Sequence, residues 1–187
     1  AKSVSVEIEA KWDAFQQDAA LFDCGKGDGS DNIRLTTVGV TGVLKWSVFV
    51  GTDEYSIEFD TTLVVGTWYH IVATAHSSSP TDRVMKLYVN GLSKKSSNTA
   101  GPPNTTTAVT RSEQYIGRST VPSAANFKGT IATVKVYSSA LTDSDVSLAY
   151  NAFKEYVYTS TSPCTNYFSE TESGWNRKGG EGCCGLS

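Results

Sequence analysis

The sequence is poor in the residues that much enzyme chemistry requires. It has two histidines, His70 and His76, and a single methionine. Two imidazoles exclude sites built on several histidines, and no His-x-x-x-His pair occurs. There is no Gly-x-Ser-x-Gly elbow and no phosphate-binding glycine loop. Charged residues make up only 19%, with a net charge of −3. That excludes the basic footprint of a nucleic-acid partner and a polybasic membrane anchor. No apolar run approaches the roughly 20 residues of a membrane-spanning helix. At 39% hydrophobic the chain is nevertheless too apolar for a disordered one. Its 187 residues fit one domain, or one domain with an appendage, and can bury a sizeable core.

What the chain does have is strand pattern. Val4, Val6, Ile8, Ala10 and Trp12 alternate with polar residues, which predicts a half-buried strand. Leu44, Trp46, Val48 and Val50 repeat the pattern, and Gly51-Thr52-Asp53 turns the chain into a second arm over Tyr55 to Phe59. Another strand runs from Trp68 to Ala75 and stops before Ser77-Ser78-Ser79-Pro80. Met85, Leu87 and Val89 are expected to face in, with Lys86, Tyr88 and Asn90 facing out. Asn90-Gly91 is a type I′ turn signal. Residues 93–110 are polar and proline-bearing and predict a long loop. Tyr115-Ile116 and Ile131 to Tyr137 are the last strands. One short helix follows: Thr142 caps it with Asp145 in the capping-box position, and Val146, Ala149, Tyr150 and Phe153 share a face. Strands every 8 to 15 residues with one late helix predict an all-β sandwich or jelly roll.

The four cysteines are Cys24, Cys164, Cys183 and Cys184, none in Cys-x-x-Cys spacing. They are read as disulfide-forming in an extracellular protein. A bridge between the adjacent Cys183 and Cys184 would be strained. Either Cys24 and Cys164 each take one of them, or one cysteine bonds another chain. A bridge from Cys24 to the tail closes a loop of about 160 residues, worth roughly 5 kcal/mol if unstrained. Asn104-Thr105-Thr106 is a glycosylation sequon. The chain starts at Ala1 without a signal peptide and enters a strand almost at once. It is therefore read as a processed or excised piece of a longer protein. Residues 1–153 are expected to form the domain. Residues 154–187, rich in Ser, Thr, Gly and Cys, are expected to be an extension or linker.

Four segments in order resemble one family. Gly66-Thr67-Trp68-Tyr69-His70-Ile71-Val72-Ala73, Lys86-Leu87-Tyr88-Val89-Asn90-Gly91, Tyr115-Ile116-Gly117-Arg118-Ser119 and the stretch from Phe127-Lys128-Gly129-Thr130-Ile131 to Ala140-Leu141-Thr142-Asp143 resemble consecutive strands of laminin G-like domains. The resemblance covers roughly residues 1–153. It implies a concanavalin A-like jelly-roll sandwich of two curved antiparallel sheets, a mostly extracellular binding role, and often one calcium ion at the rim. The sequence departs from the family where an acidic pair usually precedes the last strand, since Ala132-Thr133 stand there. Trp68 is expected in the core, and His70, on the same strand face, is read as structural.

Glycoside hydrolases sharing this jelly roll carry Glu-x-Asp-x-Glu on one strand, where alternation aligns the carboxylates. Here Glu58-Phe59-Asp60-Thr61-Thr62 offers only the first two, and Thr62 cannot be the acid. Glu7 and Glu9 lack a third partner at Lys11. For calcium, the candidate cofactor, the acid-bearing loop Asp23 to Asn32 offers Asp28 and Asp31 as metal ligands, with Lys26 opposing. For a sugar, Tyr69 and Tyr88 are the outward aromatics and candidate ligand-binding residues. The reading is a non-catalytic extracellular interaction module. Its expected partner is a protein or neighbouring chain in a surface or matrix assembly; the alternative is a glycan-binding, lectin-like module that uses calcium.

Overall fold

The computed structural model describes residues 2–59, 62–79, 82–97, 102, 109–161, 167–171 and 174–178. The strands are β1 (Lys2–Ala14), β2 (Ala20–Gly25), β3 (Ile33–Thr37), β4 (Leu44–Val50), β5 (Asp53–Glu58), β6 (Trp68–Ser77), β7 (Arg83–Val89), β8 (Leu92–Ser97), β9 (Glu113–Ile116) and β10 (Lys128–Tyr137). Helix α1 (Asp143–Thr161) follows, then a separate hairpin of β11 (Tyr167–Thr171) and β12 (Gly174–Lys178). One five-stranded sheet has the order β10-β1-β6-β7-β8, the other β5-β4-β3-β2-β9. Every ladder in both is antiparallel. The two sheets pack face to face, the jelly-roll sandwich the sequence predicts.

Alternation builds the core between the sheets. Val6, Ile8, Ala10 and Trp12 of β1 are at most 1% exposed and meet Leu35, Leu44 and Trp46 of the other sheet in one cluster. The indole of Trp46 donates to the carbonyl of Thr74 at 3.1 Å, a hydrogen bond that ties β4 to β6 across the sandwich. Asn90 and Gly91 take φ of 53° and 75°, the left-handed pair that the type I′ turn between β7 and β8 requires. Gly129 lies against β1 so closely that a Cβ there would come within 2.1 Å of the Lys11 carbonyl oxygen.

Several expectations need correction. Trp68 is half-buried on the outer face of β6, with the Lys11 ammonium 5.6 Å from its ring centre. The inward set of β6 is Tyr69, Ile71, Ala73 and Ala75. The outward set, Trp68, His70 and Val72, reads as apolar because the helix covers that face too. Strands β2 and β3 occupy residues the sequence left without strands, and β8 occupies the start of the expected loop. Helix α1 runs past Phe153 to Thr161, across the boundary drawn between domain and extension. Among the described residues no helix is long and apolar enough to cross a membrane.

Candidate functional site

The sandwich has two outer faces, and α1 closes one of them. Thr142 and Asp145 complete the predicted capping box: the Thr142 hydroxyl accepts from the Asp145 amide at 3.2 Å, and the Asp145 carboxylate accepts from the Thr142 amide at 2.9 Å. Val146 then packs on Val72 and Tyr88. Tyr88 is on the outer side of β7 as expected, yet it is only 1% exposed and its hydroxyl donates to Asp143 at 2.5 Å. Burial and that carboxylate push its hydroxyl up to about 12. The open face expected at Tyr88 is therefore covered by the helix, and no ligand reaches its ring.

Deeper under α1, His70 lies between the rings of Tyr150 and Phe153, with centroids at 6.0 and 5.7 Å. Its Nε2 is 3.4 Å from Glu7 Oε1, while its Nδ1 has no hydrogen-bond partner among the described residues. Glu7 is 1% exposed. Besides His70 it accepts from Lys135 Nζ at 2.8 Å and from the Tyr137 hydroxyl at 2.5 Å. These donors, His70 foremost, outweigh burial and hold the Glu7 carboxyl at about 2. Burial first and Glu7 second push the Tyr137 hydroxyl up to about 12. This closed polar cluster braces the outer side of the sheet beneath α1.

The outer face of the second sheet is built differently. Register places Ser56, Ser47, Arg34, Asp23 and Tyr115 in one transverse row across all five strands. Directly paired residues project to the same side. Asp23 anchors the row. It is fully buried and accepts from Ser119 Oγ at 3.0 Å, the Thr120 amide at 2.8 Å, Thr120 Oγ1 at 2.9 Å and Asn32 Nδ2 at 2.6 Å. Arg34 lies beside it, with Nε 3.4 Å from the Asp23 carboxylate and Nη2 3.6 Å from Asp28. Its guanidinium stacks 4.7 Å over the Phe49 ring. The side chain is 12% exposed, and its buried Nε and Nη2 face those carboxylates as ion pairs, with no hydrogen-bond partner among the described residues. Arg34 is thus held rigid by charge and stacking.

Around this centre the face is made of short polar side chains. Glu54 takes the Ser47 hydroxyl at 2.7 Å and Lys45 Nζ at 2.8 Å. Burial opposes them, but those two partners leave its carboxyl below the usual range. Past Tyr115, a cavity of about 380 Å³ is lined by Glu113, Arg118, Ser119, Thr120 and Asn126, with Arg118 stacked 4.8 Å over the Tyr115 ring. Two aromatic–guanidinium stacks and a chain of hydroxyls give a surface able to hold a polyhydroxylated ligand by hydrogen bonds and ring contact.

The residues nominated from sequence fall at the margins. Asp28 and Asp31 both belong to the loop that borders Arg34, but each already faces a cation. Asp31 takes Lys26 at 3.0 Å and the Gly51 amide at 2.8 Å. No group of three or more His, Cys, Asp or Glu side chains gathers for a metal among the described residues. Tyr69, expected outward, points into the sandwich, edge-on to Trp12 at 6.3 Å, with its hydroxyl accepting from the Val64 amide at 2.9 Å. Among the described residues Cys24 is a half-buried cysteine without a disulfide partner, its thiol pKa raised mainly by burial. Cys164, Cys183, Cys184, Asn104 and Asp60 lie outside the described residues. Thr133, in place of the family's acid, donates to Glu9 at 2.9 Å. Sequence reading missed Asp23 as a buried anchor and Arg34 altogether. The available signal was Ile33-Arg34-Leu35-Thr36, a charged residue inside strict alternation.

Comparison with known proteins places this geometry. A family model described as the concanavalin A-like lectin/glucanases superfamily matches residues 1–147. No curated protein matches the chain. Among solved structures, the chain is similar to the carbohydrate-binding module CBM40 of a Ruminococcus gnavus sialidase bound to α2,3-sialyllactose. The identity there is 13%, the TM-score 0.66, and 80% of this chain and 83% of that one are covered. It is also similar to a putative carbohydrate-binding protein from Bacteroides ovatus, at 22% identity and TM-score 0.56, covering 78% of this chain and 40% of that one. A botulinum neurotoxin type C structure, described by its interaction with two ganglioside molecules, is similar at 15% identity and TM-score 0.57, with 81% and 36% covered. At these identities the likeness is one of fold.

Proposed function

Because the chain belongs to the concanavalin A-like lectin/glucanases superfamily, we propose that it is a non-catalytic glycan-binding module working outside the cell, with its site on the open face of the β5-β4-β3-β2-β9 sheet. The observation that carries this reading is the row of Ser56, Ser47, Arg34 and Tyr115 across the outer side of that sheet, with Arg34 pinned at its centre by Asp23, Asp28 and Phe49. The structural neighbours support it, since they include a sialidase carbohydrate-binding module, a putative carbohydrate-binding protein and a neurotoxin that interacts with gangliosides. The carboxylates facing the site, Asp23 and Glu54, are held by hydroxyls and cations. That suits them to orienting donors rather than to passing protons. The protein-interaction reading ranked first from sequence becomes the second choice here. The core of a protein interface favours large aromatics and depletes serine, whereas this face centres on Ser47, Ser56 and Arg34.

The test is a glycan array with the intact chain, in calcium and in EDTA, repeated with Arg34→Gln. Asp23 keeps its four hydrogen bonds in that variant but loses the cation beside it, so a urea unfolding curve first establishes that the variant is folded at the assay temperature. Binding of a defined glycan class, weakened about tenfold or more by the substitution, is the expected result. Loss in EDTA would add a cation at the neighbouring loop of Asp28 and Asp31. Absence of glycan binding in both buffers, or binding indifferent to Arg34, would overturn the assignment.

A further inference from the structure

Edge strands β5 and β8 meet on the side of the sandwich away from β9 and β10. There the β7–β8 turn and α1 enclose a cavity of about 590 Å³. Pockets of this size accept small ligands. Its polar lining includes Tyr69, Asn90, Lys94, Ser147, Tyr150 and Asn151. None of this belongs to the sheet face around Arg34.

The lining is strong in donors and short of charge balance. Asn90 spends its side-chain oxygen on the His70 amide at 3.0 Å, which leaves the NH2 to give. The Tyr69 oxygen accepts from the Val64 amide at 2.9 Å, which leaves its O–H hydrogen to give. Lys94 has no carboxylate partner, and no Asp or Glu lines the cavity, among the described residues. Lys154 adds a second cation beside the cavity, its ammonium 5.1 Å from the Tyr150 ring centre. Donors and these ammonium groups call for a ligand with acceptors and a negative charge. The Tyr69 and Tyr150 rings call for one with an apolar face as well. A pyranose ring bearing a carboxylate meets all three demands.

We propose that this cavity is a second carbohydrate site, selective for an acidic sugar unit of the uronic-acid class. The carboxylate sits on Lys94, the ring lies against Tyr150, and Asn90 and Asn151 take hydroxyls. The proposal goes beyond the glycan site at Arg34 and does not depend on it.

The experiment is an NMR titration of the intact chain with D-glucuronate, with D-glucose and with acetate, in the unaltered protein and in Lys94→Gln and Ser147→Trp. Both substituted side chains are exposed, so both variants are expected to fold. Saturable shifts at Asn90, Lys94 and Asn151 are expected with glucuronate. They should be weaker with glucose, about fivefold weaker in Lys94→Gln and absent when the tryptophan fills the cavity. Acetate acting as well as glucuronate would overturn the sugar assignment. Shifts confined to Arg34 and Tyr115 would overturn this site while supporting the first, and no shifts at all would overturn it too.

Discussion

Glu7 and Asp23 are both carboxylates removed from water, and each is kept there by its donors. Leaving such a charge unmatched would cost several kcal/mol. At Glu7 the match sets a pH dependence. Its carboxyl is held at about 2 against an ordinary 4.5, with the His70 hydrogen bond the largest cause, then Lys135 and Tyr137. A depressed folded value means the stabilisation is complete above pH about 4.5 and is lost as the pH falls toward 2. The amount at neutral pH is on the order of 3 kcal/mol. Urea unfolding followed between pH 5 and pH 2 should therefore show the unaltered protein losing more stability than Glu7→Gln, whose amide does not titrate in that range. Parallel losses in the two proteins would sink this account. Neither carboxylate was legible as an anchor in sequence. Glu7 reads as the solvent side of an alternating strand, and the Lys135 and Tyr137 side chains of β10 that close on it are 128 and 130 residues away, a distance over which local pattern carries no information.

Elements with a strong local signal were legible. β1, β4, the β7–β8 turn and the start of α1 follow from alternation, from Asn90-Gly91 and from the Thr142 to Asp145 box. β2 and β3 were not, because the glycines and aspartates of 23–32 read as one loop. β2 ends at Gly25, where a Cβ would fall 2.3 Å from Asn32. The missed pair carries Asp23 and Arg34, so the site went unseen with its strands. Tyr88 misled for the opposite reason: strand alternation gives its side of the sheet correctly but is blind to the helix that lands there. The contact that seats that helix is testable at Gly91. Its φ is 75°, and a Cβ would meet Tyr150 Cδ1 at 2.6 Å. Gly91→Ala faces the left-handed penalty of roughly 1–2 kcal/mol and also pushes Tyr150 off the turn. The expected result is an unfolding free energy lowered by at least that amount, read as a lower midpoint in urea at an unchanged slope. The His70 and Phe153 resonances should shift as the helix resettles. An unchanged midpoint would show that the turn and the helix are not coupled.

At the scale of the molecule, one outer face is covered by α1 over Val72, Tyr88 and His70, and the other carries the row of Ser56, Ser47 and Arg34, with Ser47 buried in it. The same sandwich core serves both, so the open face needs no further element to hold its shape. Among the residues whose side chains are described, every buried apolar one lies between Val6 and Phe153. Beyond Phe153 the helix carries Tyr156, 66% exposed. If nothing after Thr161 packs on the sandwich, a chain cut there should melt within about 3 °C of the full chain and bind the same glycan through Arg34. If a bridge from Cys24 to the tail carries the roughly 5 kcal/mol that loop closure can supply, the cut chain would instead melt lower by about 10 °C or more. The full chain would then fall by a similar amount in reducing buffer. Calorimetry of both chains with and without reductant decides between the two. A loss seen on truncation and not on reduction would place the tail's contribution in packing rather than in sulfur.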